Sequence, residues 1–264
     1  MLKQLLLCST LWLTLVVVMT AGRSHAAEPV KPLRALLVLG GCCHDYGTQK
    51  DLLKAGIESR AHVSVEIAYN EDKSTKAVFS VYEKENWAQN FDVVIHDECS
   101  ADVKEMPYVR NILKAHHDGV AAVNLHCAMH SYRTGSDDWF QFVGIQSSRH
   151  GPQKPIEVSY LDKASNPILH GLNDWTTINE ELYNNLRLFE TAKPLARGRQ
   201  DTGKDVDEAF VVWTNQYGKG RVFSTTLGHN NDTVGDARYL DLVTRGLLWS
   251  CDKLQPEYLK TAAK

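Results

Sequence analysis

The chain reads as an α/β protein built on a mostly parallel β-sheet flanked by helices. Three observations predict this. Apolar runs of strand length, RALLVLGG (34–41), FDVVIHDE (91–98) and GVAAVNLH (119–126), have the continuous character of strands buried on both faces. Segments of helical spacing alternate with the strands. Polar, chemistry-bearing residues follow the apolar runs directly, as happens where a parallel sheet gathers its strand ends along one rim.

Each element has its own signal. The first strand ends in the doublet Gly40-Gly41. A helix is expected over about 49–60, and HVSVEIAY (62–69) alternates apolar and polar residues as a half-buried strand does. YVRNILKAHHDG (108–119) carries helical apolar spacing and stops at a glycine. In the second half KPIEVSYL (154–161) alternates like a strand. FVVWTNQYGKGRVFSTTLGH (210–229) reads as two strands around a Tyr-Gly-Lys-Gly turn, an antiparallel hairpin. The closing helix, 237–250, spaces Leu240, Val243, Leu247 and Leu248 on one face. No repeat or low-complexity linker divides the chain, so one domain over 34–252 is expected.

Composition narrows the function classes. Of 264 residues, 43% are apolar and 23% charged, and the net charge of −3 gives no basic footprint for nucleic acid. The N-terminus has Lys3, an apolar stretch over 5–21 and the small-x-small triplet Ser24-His25-Ala26, the pattern of a signal peptide over 1–26 and of an exported, periplasmic or secreted protein. The alternative is an uncleaved anchor, since the stretch approaches the roughly 17-residue minimum for a membrane span. No later run is long enough to span, so no stable membrane span is expected after cleavage.

Behind the signal lie five cysteines, Cys42, Cys43, Cys99, Cys127 and Cys251. The absence of a CxxC pair argues against a thiolate zinc site. Four of them follow predicted strands on one rim, where an oxidising compartment favours a disulfide, and spacing leaves the pairing open. Cys127 is also a candidate nucleophile with His229 as its base, as an amidase would need. Its flanks, His126 and Ala128, lack the glycines of a sharp nucleophile turn.

LVLGGCCHDY, NLHCAMHSY with Trp139 and His150 after it, INEELYN (178–184), VVWTNQYGKGRVFSTTLGH and RGLLWS (245–250) occur in an order that resembles the ThuA-like family, named from trehalose utilisation. The resemblance covers roughly residues 34 to 252. It implies a flavodoxin-like fold similar to class I glutamine amidotransferases, and a role in carbohydrate metabolism, especially with disaccharides oxidised to 3-keto sugars.

His44, His126, His150 and His229 each fall in a matching motif and form the expected metal set, for zinc or another divalent transition metal. Glu181 joins them as a ligand or as the base that removes a proton, and His126, Glu181 and His229 are the expected catalytic groups. The alternative is that these histidines only bind substrate hydroxyls or satisfy core polar groups. Asp45 is expected to bind substrate, with orienting His44 or capping a helix as its other readings. Arg149 and Tyr183 are candidates for sugar hydroxyls, against a plain solvated position. His130 reads as a rim or surface residue, His116 and His117 as helix-end residues, and Trp139 as core. The turn glycines 218 and 220 lack the spacing of a phosphate loop, so no nucleotide cofactor is expected. The expected partner is a small carbohydrate. Association into a homo-oligomer and a non-catalytic sugar-binding role stay open.

Overall fold

The computed structural model describes residues 30–260. The predicted signal peptide, 1–26, lies outside them. Strand β1 (Leu33–Gly41) leads through α1 (Tyr46–Arg60) to β2 (Val63–Asn70). β3 (Val93–Cys99), α2 (Met106–His117) and β4 (Ala121–Leu125) follow. After α3 (Asp138–Val143) come β5 (Ile145–Gln146), β6 (His150–Tyr160), β7 (Trp175–Tyr183) and β8 (Arg187–Leu188). β9 (Lys193–Asp201), β10 (Val206–Tyr217), β11 (Gly220–Thr225), α4 (Asn231–Val234) and α5 (Ala237–Ser250) complete the chain.

Nine strands form one sheet in the order β2-β1-β3-β4-β11-β10-β9-β6-β7. The pairings from β2 to β11 are parallel, and those from β11 to β7 are antiparallel. β5 and β8 pair separately. The parallel half explains the unbroken apolar runs. In β1, Ala35, Leu37 and Leu39 enter the core under α1 and α5, while Leu36 and Val38 enter the core under α2 and α3. A strand covered on both faces has no polar side to alternate with.

The outer face of α1 is charged, with Lys50, Asp51, Lys54 and Glu58, and its buried residues include only Leu53 and Ile57 as large aliphatics. Burial of such a side chain is worth about 1.5–3 kcal/mol. Packing against α5 therefore holds the helix more than its own propensity does. Gly56 permits the close approach: a Cβ there would stand 2.4 Å from the Leu240 side chain.

The second half holds more strands than the sequence signals. β7 and β9 carry WTTINEELY and KPLARGRQD, whose charges dilute the apolar alternation. β7 occupies an edge of the sheet, which tolerates polar residues on its open side. It also curls back to touch β10 and α4, which brings the antiparallel half over the rim of the parallel half. Among the described residues no helix is long and apolar enough to cross a membrane.

Candidate functional site

Three loops leave the carboxyl ends of parallel strands and each delivers one histidine. β1 ends at Gly41, whose φ of +97° and 2.3 Å Cβ clearance from the Cys99 carbonyl admit only glycine, and His44 follows. β4 passes into a short 3₁₀ turn, His126–His130, with His126 itself at φ +38°. A non-glycine residue in that region is uncommon and marks stored strain. The loop after β11 turns at Gly228 (φ +121°) and presents His229. The fourth member, Glu181, comes from β7.

These four side chains converge. His44 Nε2 lies 3.0 Å from His126 Nε2 and 3.1 Å from His229 Nδ1. Glu181 Oε2 lies 3.6 Å from His126 Nε2 and 3.4 Å from His229 Nδ1. One ligand atom from each of the four lies within 4.8 Å of all the others. A tetrahedral centre with bonds of about 2.0–2.1 Å has edges of roughly 3.3–3.5 Å, so the measured separations suit zinc or a metal of similar size.

The ring orientations agree. His126 Nδ1 faces the Thr226 carbonyl at 2.6 Å. A carbonyl only accepts, so the ring donates from Nδ1 and turns the Nε2 lone pair into the site. His44 Nδ1 is held by the Tyr46 hydroxyl at 3.0 Å. The Gln153 amide reaches both His229 Nε2 (2.8 Å) and Glu181 Oε1 (3.2 Å). Glu180, fully buried, accepts from the backbone N–H groups of His229 (3.0 Å) and Asn230 (3.2 Å) and fixes that loop.

The electrostatics favour the ligand forms of His44 and Glu181, while His229 is held towards its protonated form, paired with Glu181. Burial, then the neighbouring His126 and His229, push His44 down to about 2, which keeps it neutral. Burial works against ionisation of Glu181, but the neighbouring His126 and His229 outweigh it and hold the carboxyl below the usual range. Burial likewise lowers His229, and the hydrogen bond and charge of Glu181 outweigh it, leaving its pKa raised. His44, His126, His229 and Glu181 thus form a donor set fit for a divalent transition metal.

The other expected residues divide. His150 stands outside the quartet: its Nδ1 meets the Gly151 carbonyl at 2.8 Å, lies 3.6 Å from Glu181 Oε1, and its side chain is 43% exposed. The separate strand β6 delivers it from the far side of Glu181, which is why the motif alone misplaces it. Asp45 caps α1 and accepts from Asn231 Nδ2 at 2.8 Å, so the orienting partner of His44 is Tyr46. Tyr183 is buried, not solvated, with its hydroxyl 3.2 Å from His126 Nε2 and its ring stacked on His130 at 4.0 Å. Arg149 is exposed beside His150, on a small pocket of about 310 Å³ that Tyr183 also lines.

His130 is buried, with Nε2 2.8 Å from Ser147 Oγ, and is no surface residue. His116 is buried as well, whereas Trp139 lies in the core as expected. Cys127 is paired with Cys99, and Cys42 with Cys43. The pairing takes away the free thiol that a Cys127 nucleophile requires. The strained elbow residue is His126, one position earlier.

Sequence reasoning missed Tyr46, Gln153 and Glu180. The Glu180-Glu181 doublet held a usable signal, because consecutive strand residues face opposite ways and only one could enter a shared site.

A cleft of about 760 Å³ opens from His44 and His229 and is lined by Tyr69, Asn70, Lys73 and Asn231, with Asp45 at its edge. That volume and polar lining suit a hydroxyl-rich ligand.

Among solved structures, a ThuA-like protein from Parabacteroides merdae superposes with a TM-score of 0.65 at 18% identity, over 84% of this chain and 90% of that one. A ThuA-like protein from Bacteroides uniformis gives 0.62 at 14%, over 86% and 94%. A β-galactosidase from Rahnella sp. R3 gives 0.56 at 14%, over 85% of this chain and 32% of that one. At these identities the likeness concerns the fold, an α/β flavodoxin-like one. No curated protein matches the chain. Residues 15–250 match the model of the trehalose utilisation family, ThuA, and the chain belongs to that family.

Proposed function

We propose that the protein is exported and cleaves an oxidised, 3-keto glycoside or disaccharide. The observation that carries the reading is the convergence of His44, His126, His229 and Glu181, with His44 and His229 lining a polar cleft. Family membership supports the carbohydrate class. His44 and His126 through Nε2, together with His229, would hold a divalent metal. When bound, it supplies Lewis-acid polarisation of a carbonyl and charge stabilisation of the enediolate.

The side chains do the rest. A ketone at C3 acidifies the hydrogen at C2. Glu181, kept ionised by its histidine neighbours, takes that proton. The C1–oxygen bond then breaks, and the Glu181 carboxyl returns its proton to the departing oxygen. Water adds across the resulting unsaturated ketone and restores the atom balance. The hydrogen bonds from Gln153 keep Glu181 beside His229 through both transfers.

The test uses purified chain lacking residues 1–26, offered 3-keto and unoxidised disaccharides, with metal content measured alongside. The expected result is aglycone release from the 3-keto substrate only, about one zinc or similar ion per chain, and loss of activity on chelation. Equal turnover before and after complete removal of metal overturns the metal-assisted reading. Inertness towards every keto glycoside, with sugar binding retained, leaves a non-catalytic binding protein.

A further inference from the structure

Four cysteines meet beside the histidine site. Strand register explains why. Gly41 of β1 pairs with Cys99 of β3, so the next residue, Cys42, lies over Cys99, and its N–H donates to the Cys99 carbonyl at 3.4 Å. β3 and β4 run side by side, with His96 opposite Asn124, and three residues further on they deliver Cys99 and Cys127. The two disulfides, Cys42–Cys43 and Cys99–Cys127, are in contact, with Cys42 Sγ 3.5 Å from Cys99 Sγ. Exposure falls along the series. Cys43 is exposed, Cys42 half-buried, and Cys99 and Cys127 are 4% and 5% exposed.

Thiol–disulfide exchange needs an accessible disulfide, an attacking sulfur within reach of a second disulfide, and a leaving sulfur. All three are here, ordered from solvent inward. We propose that these cysteines form a redox site that accepts two electrons from an external dithiol at Cys43 and, by exchange through Cys42 and Cys99, leaves one thiol on Cys43 at the surface and one on Cys127 inside. In the first step the dithiol attacks Cys43 Sγ, its second thiol displaces the mixed disulfide, and the dithiol leaves oxidised. Cys42 and Cys43 are then free thiols. In the second step Cys42 attacks Cys99 Sγ. A Cys42–Cys99 bond forms, the Cys99–Cys127 bond breaks, and the proton given up by Cys42 ends on Cys127. The balance is two electrons and two protons from one dithiol, with one disulfide of the protein reduced.

The relay has a local consequence. Single donor atoms of His44, Cys99 and Cys127 lie within 4.8 Å of one another. Reduction therefore delivers a free sulfur to the wall of the histidine site. The proposal does not depend on the reaction assigned above.

The test maps disulfides in purified protein by alkylation, acid quench and non-reducing peptide analysis. Cys43→Ser leaves Cys42 as a free thiol against Cys99. The expected product is a Cys42–Cys99 bond, with Cys127 labelling raised about tenfold over wild type. Cys42→Ser removes the sulfur in contact and is expected to leave Cys99–Cys127 intact. Wild-type protein treated with one equivalent of dithiothreitol checks the same point without substitution, and should give Cys42–Cys99 with Cys43 and Cys127 labelled. An intact Cys99–Cys127 bond with Cys42 labelled, in Cys43→Ser and in the half-reduced wild type, overturns the relay.

Discussion

Among the described residues, two histidine–carboxylate clusters invite comparison, and one of the two is built like a site. At the rim, His44, His126 and His229 gather around Glu181, and His44 and His229 face the cleft. Inside the core, His96 joins His116 (2.9 Å between Nε2 atoms) to Glu98 (3.0 Å). The residue types and spacings are nearly the same. The partners differ. In the core, the Tyr82 and Tyr132 hydroxyls donate to Glu98, and His116 Nδ1 is tied to the Val120 carbonyl. All three core residues are sealed from solvent. At the rim, ring nitrogens face other ring nitrogens, and the cleft gives access. Convergence of histidine and carboxylate identifies a candidate, while open lone pairs and a path from solvent decide what it can bind.

The largest expected effect tests the rim. His126→Ala should abolish stoichiometric metal binding and lower activity on a keto glycoside by about 10²–10⁴-fold. Retention of a full metal complement would show the quartet to be no more than a polar cluster.

His116→Ala is the matching change in the core. It leaves His96 without its partner and opens space beside Phe142, which should cost about 2–4 kcal/mol in denaturant unfolding, with metal content unchanged. The same group gives a pH signature. Burial, then His96, push His116 down to about 3 in the folded protein. The unfolded chain binds that proton below about 6.5, so stability falls as pH drops from 6.5 towards 3, by about 1.4 kcal/mol for each unit. His116→Gln should remove that part of the slope. An identical slope in wild type and variant would contradict the assignment.

Two smaller changes probe the supports of the rim. Glu180→Gln weakens the grip on the His229 loop and should reduce metal affinity by roughly tenfold in a competition titration. Tyr183→Phe removes the hydroxyl near His126 and leaves the ring stack on His130 in place, for a change of about 1 kcal/mol. A larger effect from Tyr183 than from Glu180 would reverse their order of importance.

The parallel half was legible in the sequence because strands covered on both faces leave continuous apolar runs, and the residues after them fall on one rim. That placed His44 and His126 on one rim, while His229 joined them, with His150, through the motifs of the family resemblance. β7 and β9 were not legible as strands, because the buried glutamates of β7 and the exposed arginines of β9 break the apolar alternation. His150 and Tyr183 were misplaced for a related reason. Their positions depend on how β6 and β7 fold back over the rim, and spacing along the chain does not encode that. Cysteine pairing was equally hidden, since it depends on the register of β1, β3 and β4.

His44 and His229 stand 185 positions apart and touch. Closing so long a loop comes late on any folding route, since its entropy must be offset by contacts formed earlier. During synthesis the ribosome releases His44 and His126 well before their partners, so the centre assembles only when α4 and α5 have docked. Uptake of the proposed metal would then be a clock for the end of folding, since a chain stalled before β11 lacks His229 and with it the complete quartet.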